Sequence, residues 1–568
     1  MTVDTITREV VRHGLVAIAE EMNATLVRTA YSPNIKERQD CSCAIFDNHG
    51  DMISQAENIP VHLGAMPFSV AAAIEEFPVE SLAPGDAILL NDPYRGGAHL
   101  PDLTLISPVI YEDELIGFAA NRAHHADVGG ANAGSVAATS SDIHAEGLRI
   151  PPVRLVRGGE LVEAVQDLLL ANTRDPRERM GDLRAQIAAN RRGRERMVEL
   201  FERHGTEVMS AVITESNDYA ERRMRARIAS LADGTYQYTD YIEADGQGNE
   251  QLPVAVAVTV ADDTVTVDFS GSAPQTTSAI NAVYAVTVSA TYYAIRTLTD
   301  PDIPANAGCY RPISVSAPSG SIVNAEPPAA VVAGNLETSQ RIVDAIFGAL
   351  ADCLPDRVPS ASQGTMNNLA FGGVHPDTNQ EYAFYETIAG GSGARAGSDG
   401  MDAVQVHMTN TMNTPIEVLE TTYPLRVRRY ALRPDSGGAG QYRGGLGIRR
   451  DIEVLAPDTT ASLLAERRTN APAGIHGGQT GASGADELVS GGEVTSLPAK
   501  TVDLLQPGDV IRIATPGGGG YGDPADREEA PIRRDLRLGK VTPATAQQVY
   551  GYEVSSIEDT DEAAQPTE

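Results

Sequence analysis

The chain has 568 residues, 42% of them hydrophobic and 21% charged, with 53 glycines and 34 prolines. That length predicts two to four substructures, and the composition predicts a globular protein rich in turns and short strands. Acidic side chains number 77 against 44 basic ones, a formal net charge of −33, so no basic field exists to neutralise phosphates and nucleic-acid binding is disfavoured.

Three lysines occur, Lys36, Lys500 and Lys540. Acid excess with so little lysine is the composition a high-salt cytosol favours; an ordinary acidic cytosolic protein is the alternative reading. Cys41, Cys43, Cys309 and Cys353 form no CxxC pair and read as buried thiols of a reducing compartment. No apolar run reaches the ~18 residues of a membrane span. The N-terminus lacks a signal-peptide core, so a cytoplasmic location is expected.

Residues 4–30 predict a helix, with Asp4 as N-cap and Val11, Leu15, Ile18, Met22 and Leu26 as one apolar stripe. CSCAIFD and DMISQA read as two short strands around Asn48-His49-Gly50, bracketed by Asp40 and His62. A helix follows over 66–78, then a buried strand, GDAILLNDP. Residues 160–232 are rich in alanine, arginine, glutamate and leucine and predict two or three helices, with the arginines of 191–196 on a solvated face. From Gly234 the pattern is β, turning at Asp262-Asp263. Glu337-Thr338-Ser339-Gln340 leads into a helix with the stripe Ile342, Ala345 and Leu350, and Asn335 and Glu337 at its N-terminus either serve an anion or substrate or cap the helix. Residues 425–515 read as short strands between glycine-rich turns, and ATPGGGGYGDP reads as a place of close backbone packing. A short helix follows Pro524, and residues 553–568 read as an acidic tail.

The stretch richest in chemistry is Asn91–Gly130. It holds three of the eleven histidines, His99, His124 and His125, together with Asp92, Asp102 and Asp127. Two apolar runs around YEDE predict a β-hairpin whose open end brings AHLPD and HHAD together. Imidazoles and carboxylates converging there match a divalent-metal site or a general acid/base site. His144, beside Glu146, is a further candidate. The chain has no GxxxxGK[ST] phosphate loop.

Taken together, ERQDCSCAIFD (37–47), IPVHLGAM (59–66), NDPYRGGAHLPD (91–102), AHHADVGG (123–130), EGLRIPP (146–152), GNLETSQR (334–341), HMTNTMNTPIEVLE (407–420) and TPGGGGYGDP (515–524) resemble the B subunit of the hydantoinase/oxoprolinase family. The resemblance runs nearly end to end. It implies a partner, a hydantoinase A-type ATPase subunit, that binds ATP and phosphorylates a carbonyl oxygen of a small cyclic amide or ketone. This chain then completes hydrolysis or, in the carboxylase branch, carboxylation. It also implies a divalent metal (zinc, manganese or iron) held by an HxxD pair, His124 and Asp127. His99 and His144 are the candidate third ligands, and Asp40 and Asp102 are further ligands or supports. Asp102 or Asp127 would act as base, and His62 or His125 would protonate the departing nitrogen. An ATP-dependent cyclic amide hydrolase is the leading reading; a ketone carboxylase subunit and a non-catalytic scaffold are the alternatives.

The expected fold class is α+β. A metal-bearing α/β region spans 1–160, a helical segment 161–232, a central mixed region 233–424, a β-rich region 425–524, and a C-terminal helix with acidic tail 525–568.

Overall fold

The computed structural model describes residues 3–553, apart from 57 and 137. Beyond residue 553 the expected acidic tail lies outside the described residues. The chain is α+β, with four sheets among the described residues. Four helices matter for the site: α1 (Thr5–Thr29), α2 (Pro60–Leu63), α3 (Ile143–Glu146) and α4 (Pro176–His204). Asp4 accepts from the amides of Ile6 and Thr7 and so caps α1, whose predicted stripe is buried throughout.

The first sheet has the order β2-β1-β5-β4-β3-β6-β7. Its strands are β1 (Cys41–Phe46), β2 (Met52–Ala56), β3 (Ala87–Leu90), β4 (Asp102–Tyr111), β5 (Glu114–His124), β6 (Val153–Arg157) and β7 (Glu160–Leu161). The predicted hairpin is β4–β5. It turns at Glu112 and Asp113, both left-handed (φ 49° and 64°), as a two-residue hairpin with right-handed strand twist requires. Both faces are covered. Cys41, Cys43, Ile45, Ala119 and Ala123 pack against α1 and α4, while Ala44, Phe46, Phe118 and Ala120 pack against the helix Met66–Glu76. The alternation has period two, so neighbouring residues on β5 serve opposite layers.

Residues 163–228 form three helices, as expected. Arg191 pairs with Glu195 on the solvent side. Arg192 and Arg196 instead reach Glu21 of α1, so the arginine run also ties two helices together.

In the C-terminal half, Asn368–Val374 and Glu381–Thr387 share a sheet with Thr459–Leu464 and Lys500–Leu505, so that sheet crosses residue 424. Gly517–Gly520 follows the strand Val510–Ala514 as an irregular segment touched by backbone on several sides. Amides of this segment donate to Ala482, Gly445, Ala361 and Gln479, and its carbonyls accept from Gly438, Ala394 and Ile475. A β-carbon on Gly517, Gly518, Gly519 or Gly520 would overlap the carbonyl of Ser436, Ser392, Ala473 or Ala439 respectively. The glycine density predicted from sequence is therefore backbone-to-backbone packing.

Glu146 of α3 is fully buried, and its Oε1 accepts from the amides of Val331 and Val332 at 2.8 and 2.9 Å. Burial outweighs those bonds and pushes its carboxyl up to about 8. The folded state thus keeps a proton that the unfolded chain releases from about 4.5 upward. Wild-type stability should fall as pH rises from 5 to 8, by a few kcal/mol at roughly 1.4 per pKa unit. Glu146→Gln should flatten that slope in denaturant melts, and an unchanged slope would refute the assignment. Gly518→Ala should cost about 3 kcal/mol or more through overpacking. Gly373→Ala, whose added carbon meets nothing closer than 3.5 Å, should be close to neutral in the same denaturant melts.

Candidate metal centre

The β4–β5 register sets Asp102 directly opposite His124 at the open end of the hairpin. His99 comes from the turn before β4, which Asn91 shapes. The Asn91 side-chain amide donates to the carbonyls of Leu100 and Leu148, and its Oδ1 accepts from Ile150. Gly96 takes a left-handed φ of 89° where the chain passes the Phe68 carbonyl, a path closed to any side chain. His62 arrives from α2.

These groups converge on one carboxylate. Asp102 Oδ1 lies 2.9 Å from His99 Nε2 and 3.2 Å from His124 Nδ1, and Oδ2 lies 3.3 Å from His62 Nε2. His62 Nδ1 is 3.1 Å from Ser42 Oγ. All are buried. Burial would raise the Asp102 carboxyl, but His99, His62 and His124 outweigh it and hold the group well below the usual carboxylate range. Burial lowers the His124 imidazole, with Asp102 and Asp40 pulling the other way.

The contacts are close but poorly directed: neither oxygen of Asp102 has a hydrogen bond of good geometry, and His124 Nε2 and His99 Nδ1 have no partner among the described residues. The ligand atoms of His99, Asp102 and His124 lie within 4.8 Å of one another. Two imidazoles and a carboxylate with unsatisfied buried atoms fit a divalent cation.

Other expected site residues stand elsewhere. Asp40 is on the same sheet face as His124, with its carboxylate 3.9 Å from Arg38, beside the cluster rather than in it. Asp127 accepts from the Arg174 guanidinium at 2.7 Å and from the Arg174 amide at 3.0 Å, so this carboxylate is engaged away from Asp102. His125 follows His124 and so faces the opposite layer, where its Nε2 meets Gln186 of α4 at 3.0 Å and burial pushes its pKa down to about 4. His144 is exposed on α3; its neighbour Glu146 is the buried group. The structure brings together His62, His99, Asp102 and His124, and it does not bring Asp127, His125 or His144 to them.

Two further residues touch the cluster from distant sequence, and a third is linked to it through them. Tyr385 stacks on His124 with ring centroids 4.7 Å apart. The Asn335 amide is 3.2 Å from His99 Nε2. Glu337, pushed by burial up to about 8, accepts from Asn368, which in turn accepts from the Tyr385 hydroxyl. Asn335 and Glu337 sit on a π-helical turn, Gly334–Thr338, and neither caps the helix that follows. Such turns mark functional sites often. Tyr385 carried no sequence signal, because an aromatic residue on an apolar strand reads as core.

A family model described as hydantoinase B/oxoprolinase matches residues 4–524. An uncharacterised protein of Methanocaldococcus jannaschii is 43% identical over 98% of this chain and 97% of its own length. A Pseudomonas sp. protein named as the B subunit of a D-/L-hydantoinase is 36% identical over 98% and 97%. The 5-oxoprolinase 1 of Arabidopsis thaliana is 37% identical over 91% of this chain, which spans 42% of that protein. Among solved structures, an ATP-dependent caprolactamase from Pseudomonas jessenii superposes with a TM-score of 0.91 at 33% identity, over 98% of this chain and 97% of that one. A nucleotide-free acetone carboxylase gives 0.89 at 21% identity, over 96% and 79%, a likeness of fold. No helix among the described residues is long and apolar enough to cross a membrane. With the family model spanning nearly the whole sequence and relatives matched end to end, the chain belongs to the hydantoinase B/oxoprolinase family.

Proposed function

We propose that this chain is the subunit of an ATP-dependent cyclic amide hydrolase that opens the ring after a partner ATPase subunit has activated its carbonyl. The carrying observation is the buried His99–Asp102–His124 donor set with its unsatisfied atoms. End-to-end similarity to a caprolactamase and to a hydantoinase subunit supports the reaction class. More than half of the Arabidopsis 5-oxoprolinase lies outside the matched region, which fits a division of labour with a second unit.

His99, Asp102 and His124 would hold the metal, which when bound supplies Lewis acidity and lowers the pKa of water. The chain's own residues do the rest. Asp102, held ionised, gathers His99, His62 and His124 around one carboxylate. Tyr385 fixes the plane of the His124 ring by stacking. His62, pinned between Ser42 and Asp102, is the group placed to move a proton at its ring nitrogens and so to serve the departing amine.

A second reading, an ATP-dependent ketone carboxylase, draws on the fold shared with acetone carboxylase. The identity there is lower and a fifth of that chain is left uncovered, so the hydrolase reading is preferred.

Two measurements test the proposal. Metal content by mass spectrometry should be lost in His99→Ala, Asp102→Asn and His124→Ala and kept in Asp127→Asn and His144→Ala. Turnover with the ATPase partner should fall roughly 100-fold or more in the first group. Metal retained in His124→Ala would refute the ligand set. Second, ADP release and product formation should require a lactam or hydantoin and be indifferent to bicarbonate. A ketone turned over only with bicarbonate would decide for the carboxylase.

A further inference from the structure

The short helix α2 has two sides in use. His62 meets Asp102, while Pro60 lines a cavity of about 500 Å³ that includes none of the cluster's residues. The cavity wall is mixed. Tyr293, Phe347 and Met401 give it apolar surface, and Arg357, Arg395 and His407 give it charge and hydrogen-bonding capacity.

His407 is the built part. It is 93% buried, being 7% exposed, and its Nε2 lies 3.1 Å from Asp344 Oδ1. Asp344 Oδ2 accepts from Arg341 and Arg467, each at 2.8 Å. The same two guanidiniums reach Asp240 at 3.0 and 2.7 Å. Two arginines fix Asp344 through Oδ2, so its remaining oxygen faces Nε2 of His407 and Nδ1 is the ring nitrogen left for another partner. Nδ1 has no protein partner among the described residues; Tyr293 and Phe347 meet the ring only edge-on, at centroid distances of 6.2 and 5.4 Å. The backbone of His407 is held at φ 53°, a left-handed conformation that a non-glycine residue keeps only when its surroundings impose it.

The arginines complete the pattern. Arg357 donates to the carbonyls of Leu298 and Thr299, and neither Arg357 nor Arg395 meets a carboxylate among the described residues. Asp399, which also lines the cavity, is held by both arms of Arg527.

We propose that this cavity binds a small organic acid that carries an N–H or O–H donor besides its oxyanion. The oxyanion goes to Arg357 and Arg395, the donor to Nδ1 of His407, and the carbon body to the apolar wall. Opening a cyclic amide makes an acid of this class. That link rests on the function proposed above, whereas the binding site does not.

Calorimetric titration of the full chain tests the site, with EDTA present so that carboxylates meeting a metal do not contribute. The probes are pentanoate, 2-hydroxypentanoate, 5-aminopentanoate and inorganic phosphate. One of the two donor-bearing acids should bind about tenfold tighter than pentanoate, the worth of one added hydrogen bond. The surface variant Arg357→Gln/Arg395→Gln should weaken both by about tenfold or more. His407→Phe should remove the preference over pentanoate and keep pentanoate binding. Because His407 is buried, a second measurement stands beside that variant: imidazole ¹H–¹⁵N spectra of the wild type, in which one histidine ring should shift on titration with the preferred acid and not with phosphate. Absence of saturable binding, binding unchanged in the arginine variant, or phosphate binding more tightly than every organic acid would overturn the proposal. Loss of hydrolysis in Asp102→Asn with acid binding intact would separate this site from the metal centre.

Discussion

The constraint on which the rest of the site depends is the burial of Asp102 among three histidines. A carboxylate taken out of water costs several kcal/mol unless other groups satisfy it. Here the satisfying groups are imidazoles at 2.9 to 3.3 Å, and none of them makes a well-directed hydrogen bond to it. A half-satisfied polar network is worse than an apolar core, and a fold that keeps one is arranged around something that completes it. A divalent cation held as proposed would complete it, since the candidate ligand atoms of His99, Asp102 and His124 lie within 4.8 Å of one another.

The C-terminal half serves this centre from a distance. Tyr385 lies on a strand whose sheet is assembled from residues 368–505, and it reaches His124 because Arg38 bridges the two halves. Arg38 donates to the Tyr385 carbonyl at 2.8 Å and to Thr387 at 2.9 Å, and its guanidinium lies over the Tyr385 ring. The segment 516–520 anchors the backbone of 390–394, Gly391 donating to the Pro516 carbonyl and Ala394 to that of Gly519, and so holds the segment that leads on to His407. Glycine is required there because the neighbours are carbonyl oxygens, which cannot move aside as side chains can.

Much of this was legible from residue pattern. The hairpin, its turn and the convergence of AHLPD with HHAD follow from two apolar runs around YEDE, and the observed register pairs Asp102 with His124. The same period of two separates His124 from His125, a distinction that spacing alone carries once the strand is known to continue to residue 124. Asp127 illustrates what spacing does not carry. It lies past the end of β5, where the path of the chain is set by tertiary contacts, and its partner Arg174 is 47 positions away. His144 was misleading for a related reason: in a four-residue helix the face that is buried depends on what packs against it, and Glu146 took that place. The sheet crossing residue 424 joins strands far apart in sequence, which no local periodicity reports.

Helix α2 shows how a weak local element becomes a reliable one. Four residues make too few hydrogen bonds to be stable alone, and Ile59 at its N-cap offers no capping side chain. The missing restraint comes from Ser289, on the helix Tyr284–Thr299. Its hydroxyl lies 3.0 and 2.9 Å from the carbonyls of Pro60 and Val61 and accepts from the Gly64 amide at 3.1 Å. Gly64 lies flush against Ser289, so no larger residue fits the junction. One hydroxyl thereby fixes both ends of α2, and with them His62 against Asp102 and Pro60 against the cavity. A movement of α2 would alter both sites together, because nothing in so short a helix lets one side shift while the other stays.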